Sequence, residues 1–92
     1  MIRSFAQRDA ELLFNDRPVR RLAAIERMIR RKLLLLYAAA RLDDLRIPPG
    51  NGLEALRGDR AGQHSIRVNE QWRICFKWKD GEVHDVEIVD DH

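Results

Sequence analysis

Leu53-Glu54-Ala55-Leu56-Arg57-Gly58-Asp59-Arg60-Ala61-Gly62-Gln63-His64-Ser65-Ile66-Arg67-Val68-Asn69-Glu70-Gln71-Trp72-Arg73-Ile74-Cys75-Phe76 alternates apolar and polar residues. Turn-forming residues interrupt it at 58–62 and again at 69–71. Alternation with period two, broken by Gly- and Asn-containing turns, predicts a β-meander. On its third strand Trp72, Ile74, Phe76 and Trp78 point one way, and Arg73, Cys75 and Lys77 point the other. On the strand before it, Ile66 and Val68 share one face, while Ser65, Arg67 and Asn69 share the other. One sheet face is therefore expected to be an aromatic core. The opposite face carries Arg67, Arg73 and Lys77, with Arg57 and Arg60 close by at the first turn. A cationic, hydrogen-bonding face of this kind suits phosphate.

Downstream, Lys79-Asp80-Gly81-Glu82 has the Asp-Gly signal of a hairpin turn, and a last strand follows over 83–89. Upstream, Pro48-Pro49-Gly50-Asn51-Gly52 is a loop, preceded by a connector over 42–47 with a helical turn at Asp43-Asp44. Before it, Leu22, Ile25, Ile29, Leu33, Leu36 and Ala40 recur at helical spacing. They predict one helix over 19–40, with Pro18 at its start and an apolar arc of roughly 80°. Arg20, Arg27 and Arg31 lie on the far side. Leu34 and Leu35 break that polar side, either because a first helix over 10–14 covers them or because they await a protein partner. Asp9 is the expected cap of that first helix, and Ile2-Arg3-Ser4-Phe5 is expected to form an edge strand.

Helices followed by a strand meander make an α+β pattern: two N-terminal helices packed on one face of a small, curved, mostly antiparallel sheet. Ninety-two residues form one domain spanning 1–92. The single cysteine, Cys75, excludes an internal disulfide and suits a packed mid-strand thiol. No signal peptide or membrane-length apolar run is present, so the expected location is cytoplasmic, away from membranes. The net charge of +2 is unevenly spread. Residues 1–46 carry 11 Lys and Arg against 6 Asp and Glu, and residues 47–92 carry 6 against 9.

No Gly-rich phosphate loop, zinc spacing or nucleophile elbow is present, and His84, Asp85, Asp90, Asp91 and His92 make only a weak metal set. The expectation is a chemistry without metal or cofactor. Cleaving RNA through its own 2′-OH requires a base for the 2′ proton, stabilisation of charge on phosphorus and an acid for the leaving 5′ oxygen. Arg73, Arg67 and Arg60 are candidates for the charge, and His92 for proton transfer.

Four stretches, 56–60, 62–69, 72–76 and 86–92, together with the opening Met1-Ile2-Arg3-Ser4-Phe5, resemble the HigB branch of the RelE toxin superfamily over essentially the whole chain. The resemblance implies a bacterial toxin that enters the ribosomal A site and cuts mRNA there, inhibiting translation. It also implies an antitoxin of the HigA type with a helix-turn-helix fold, through which the complex contacts DNA. By position, Arg73 resembles the family's phosphate-stabilising arginine, and Asp90 and His92 its C-terminal catalytic pair. Arg57, Arg60, Gln63, Arg67, Lys77, Glu54 and Asp91 fall to RNA contact, and Leu34, Leu35, Arg27 and Arg31 to the antitoxin.

Two positions depart from the family pattern. Many relatives place Tyr where this chain has Asp91, and an anion beside the phosphate weakens cleavage. Some place His where this chain has Glu54, which takes over proton transfer only with a raised pKa. Two further readings stay open: a toxin-fold protein with weakened catalysis that mainly binds its antitoxin and co-represses an operon, and a ParE-like gyrase inhibitor.

Overall fold

A computed structural model of the chain describes residues 1–90. The alternating stretch and its continuation form four strands: β1 (Glu54–Ala55), β2 (Gln63–Arg67), β3 (Trp72–Lys79) and β4 (Glu82–Asp90). They pair antiparallel in chain order. Turn chemistry closes each hairpin. Asn69 accepts the backbone N–H groups of Gln71 and Trp72, each at 2.8 Å, between β2 and β3. Asp80 (φ 54°) and Gly81 (φ 76°) take the two left-handed positions that a tight β3–β4 turn requires.

β4 contains a bulge. Cys75 pairs with Glu87 and Lys77 with His84, so β4 spends one more residue than β3 over this interval. Asp85 sits in this interval with φ 53°, a conformation Asp tolerates better than most residues. The hydroxyl of Ser4 accepts the Asp85 N–H at 2.9 Å and donates to its carboxylate at 3.1 Å. The bulge shifts the phase of the strand, which is why Val83, Val86 and Ile88 are all buried.

The expected N-terminal edge strand is present as two isolated parallel bridges, Ile2 with Val83 and Phe5 with Val86. Gln7 extends this pairing with its side chain, donating to the Ile88 carbonyl at 3.1 Å and accepting its N–H at 3.0 Å. The outer edge of β4 is thereby covered rather than left as a template for another chain.

Helix α1 (Arg8–Phe14) starts two residues earlier than expected, with Gln7 and not Asp9 at its cap. Asp9 instead pairs with Arg21 at 2.7 Å. The single helix expected over 19–40 is divided. A 3₁₀ segment (Arg20–Ile25) leads into α2 (Glu26–Ala38). Two arginines at its start oppose the positive end of a helix macrodipole, no side chain caps Val19, and the first acidic residue in a favourable position is Glu26. Because α2 stops at Ala38, Ala39 is buried and Ala40 exposed.

Leu22, Ile29, Leu33 and Leu36 pack against Ile66, Ile74, Phe76, Val86 and Ile88, forming one core between the helices and the sheet. Trp72 and Trp78 are half-buried at its margins, and the Arg21 guanidinium lies 5.7 Å from the Trp72 ring centre. The result is an α+β layer with the helices on one face and the Arg73 face open. No helix among the described residues is long and apolar enough to cross a membrane.

Candidate functional site

Strand register places the polar side chains of the open face in rows. Arg67, Arg73 and Val89 lie opposite one another across β2, β3 and β4. The adjacent row is Glu54, Ser65, Cys75 and Glu87. The next is Gln63, Lys77 and His84. Alternation along the sequence therefore sorted Arg67, Arg73 and Lys77 correctly onto one face.

Arg73 lies on the face away from the core, as alternation expects, but it is not a solvated side chain there. Its side chain is only 12% exposed. The Nε donates to the Ser65 hydroxyl at 2.8 Å, and Nη2 donates to the Gly52 carbonyl at 2.7 Å. Among the described residues Glu54 is the nearest carboxylate, 3.8 Å from Nη2 and itself largely exposed. Among the described residues Nη1 makes no hydrogen bond. The guanidinium is thus held through Nε and Nη2. Arg67, directly opposite, is exposed and donates to the Asn69 carbonyl at 3.1 Å. Like charges facing each other across a strand pair are unfavourable unless an anion bridges them.

The remaining candidates are spread along this face. Arg60 donates to both Gln63 and Glu87 at 3.1 Å. The hydrogen bond to Glu87 raises its pKa above the ordinary arginine value against the opposing effect of desolvation. Lys77 pairs with Asp85 at 3.3 Å, and Arg57 is exposed at the turn before Gly58. Arg60, Lys77 and, more loosely, Arg73 are therefore partly neutralised by Glu87, Asp85 and Glu54, and among the described residues Arg67 and Arg57 have no carboxylate partner.

Asp90 is not brought to Arg73. It pairs with Trp72, which puts it on the helix side of the pleat, where Gln71 donates to it at 3.1 Å. Asp91 and His92 lie outside the described residues. His64 faces the core side, stacked 6.1 Å from Phe76, with its Nδ1 buried and unpartnered among the described residues.

On α2, Arg27 and Arg31 are exposed. Leu34 is 61% exposed beside a groove of about 210 Å³ lined by Leu13, Phe14, Asp16 and Arg30. Leu35 is half-buried on the other flank, in a groove of about 320 Å³ with Met28, Arg31, Lys32, Pro48 and Val68. The two leucines do not form one patch.

Sequence reading placed Ser65 on the Arg67 face without giving it a role, and it overlooked Glu87, which reaches the Arg73 face through the bulge in β4. It took Asn51 and Gly52 for a turn only.

The chain matches, over residues 3–92, the family described as RelE-like toxin of type II toxin–antitoxin system HigB. It is 45% identical over 83 residues to Toxin HigB-1 of Vibrio cholerae, covering 88% of this chain and 87% of that protein. It is also 38% identical over 66 residues to an uncharacterized protein of Haemophilus influenzae, covering 72% of this chain and 64% of that one. Fold, family match and identity agree, and the chain belongs to the HigB-like, RelE-like toxins of type II toxin–antitoxin systems.

Proposed function

We propose that this toxin is a cytoplasmic, ribosome-dependent mRNA endonuclease that works without metal and blocks translation. The observation that carries this reading is the Arg67–Arg73 cross-strand pair on the sheet face away from the helices, with the Nη1 of Arg73 unengaged among the described residues. In transesterification by a 2′-OH, negative charge grows on the phosphoryl oxygens, and fixed cationic donors stabilise that charge most. Arg73 takes the phosphoryl oxygen, Arg67 draws the flanking phosphate, and Arg57, Arg60, Gln63 and Lys77 guide the strand. Proton transfer falls to His92 without Asp90, which lies on the other face of the sheet, and among the described residues Glu54 is the carboxylate nearest Arg73.

Among the described residues, no imidazole reaches Arg73: His64 faces the core side and His84 lies in the Lys77 row. Arginines scattered along the face, rather than gathered at one point, favour a mechanism in which the ribosome positions the mRNA. Free RNA is expected to be cut little and mRNA on translating ribosomes readily, as measured on one transcript with and without ribosomes. Equal cutting of both sinks the ribosome-dependent mechanism. A toxin-fold protein with weakened catalysis is the second reading, favoured by Asp91 where relatives carry Tyr. It predicts no cutting in either arm and undiminished antitoxin binding.

A toxin of a type II system pairs with an antitoxin. We assign the partner to the HigA helix-turn-helix class and its contact to α2, where Arg27 and Arg31 offer positive charge beside apolar grooves. Leu34→Asp is expected to weaken antitoxin binding about tenfold or more and to leave the melting temperature nearly unchanged, because the side chain is already exposed. Leu35→Asp is expected to destabilise the monomer as well, since Leu35 packs on the core. Titration calorimetry that finds native affinity for Leu34→Asp removes α2 from the interface.

A further inference from the structure

Asn51 has no exposed surface, unusual for an amide in a Pro- and Gly-rich loop. Its side-chain N–H groups donate to the carbonyls of Leu45 at 3.1 Å and Ile47 at 3.3 Å, and its backbone N–H to the Pro48 carbonyl at 2.9 Å. Its remaining acceptor, Oδ1, takes a hydrogen bond from the Lys32 ammonium on α2. Lys32 is partly withdrawn from water to make this contact. Desolvation, with some repulsion from Arg31, lowers its pKa below the ordinary lysine value. The next residue is Gly52, at φ 52°, whose carbonyl accepts Nη2 of Arg73 at 2.7 Å. A Cβ on Gly52 would come within 3.9 Å of both terminal nitrogens of that guanidinium. The loop is thus tied to α2 by one side chain and ends directly on the arginine.

We propose that Asn51 and Lys32 are positioning residues for Arg73. Asn51 fixes the 45–52 loop so that the Gly52 carbonyl holds Nη2, while Ser65 holds Nε, and Nη1 is left without a hydrogen bond among the described residues. Lys32 completes the hydrogen bonds of Asn51 and so ties the orientation of Arg73 to α2. A functional arginine fixed by groups that are themselves fixed is worth more than a mobile one, since small misplacements cost rate steeply. The proposal rests on Arg73 being the phosphate-binding group, as assigned above.

Lys32→Met keeps the apolar stem and removes the ammonium, and Lys32→Arg restores a donor. The direct readout is the nitrogen NMR spectrum of the Arg73 guanidinium in the full chain, where fixation by Ser65 and Gly52 should hinder rotation and separate the two Nη signals. Lys32→Met is expected to merge those signals, and Lys32→Arg to separate them again. On translating ribosomes, Lys32→Met should lower the single-turnover cleavage rate on the order of tenfold with half-saturation unchanged, and Lys32→Arg should recover it. Asn51→Ala should give the same spectral change, and if it does not fold, the Lys32 pair alone decides. Native Arg73 signals in Lys32→Met overturn the proposal, as do merged signals with an undiminished rate. A native protein inactive on ribosomes refutes the nuclease reading instead and leaves the spectral comparison standing.

Discussion

Arg73→Ala slows cleavage of ribosome-bound mRNA by on the order of 10²–10³, equivalent to roughly 2.7–4 kcal/mol of transition-state stabilisation, if Arg73 acts like a fixed oxyanion donor. The magnitude follows from its setting. The side chain is 12% exposed and its guanidinium is oriented by Ser65 and Gly52, so its charge is less screened than that of a solvated arginine and needs little reorganisation. Arg67→Ala should cost less, because Arg67 is exposed and water replaces part of its effect. The same anchoring makes Arg73→Ala structurally consequential. It strips hydrogen-bond partners from the buried Ser65 hydroxyl and the Gly52 carbonyl, a loss on the order of 1–3 kcal/mol of stability. Arg73→Lys separates the two effects: it keeps the charge, loses the forked donor geometry, and should cleave at an intermediate rate. The comparison is single-turnover cleavage beside urea unfolding for both variants. A fully active Arg73→Ala protein, or a rate loss that merely tracks the unfolded fraction, removes Arg73 from the chemistry.

What the sequence made legible, and what it hid, divides along physical lines. Alternation on β3 separates Trp72, Ile74 and Phe76 from Arg73 and Lys77 because a strand has period two whatever it pairs with. The neutralisation of Arg60 by Glu87 was hidden, because it joins residues 27 apart through a register that no local pattern states. The side taken by Asp90 was hidden for a sharper reason. The bulge at Asp85 shifts β4 by one position, so Asp90 pairs with Trp72 and falls on the face opposite Arg73. Leu34 and Leu35 both read as breaks on the polar side of a helix. A turn of about 100° between neighbours sends them to opposite flanks, one against α1 and the other against Pro48 and Val68. The helix start was misplaced because apolar spacing alone cannot weigh two arginines against the macrodipole.

The second large effect lies under the site. Phe76→Ala is expected to lower the unfolding free energy by roughly 3–5 kcal/mol. A domain of this kind has only about 5–15 kcal/mol in total. Phe76 is the largest fully buried side chain, on the strand that β2 and β4 flank, and it faces the helices at the level of the β4 bulge. Its ring stacks on His64, whose buried Nδ1 has no partner among the described residues. Removing the ring opens a cavity with a polar wall, so a water bound to Nδ1 could offset part of the loss and bring the value toward the low end. Cys75 and Lys77, on either side of Phe76, belong to the open face, so the same backbone carries core and site. The consequence for toxicity differs in kind from that of Arg73→Ala. Phe76→Ala should reduce the amount of folded toxin in cells while leaving the cleavage rate per folded molecule near native. Unfolding monitored by Trp fluorescence, beside cleavage normalised to folded protein, distinguishes the two. A Phe76→Ala protein within about 1 kcal/mol of native stability would show that this core re-packs around the lost ring. A folded variant with a rate loss as large as that of Arg73→Ala would show that the helix face and the open face are not independent.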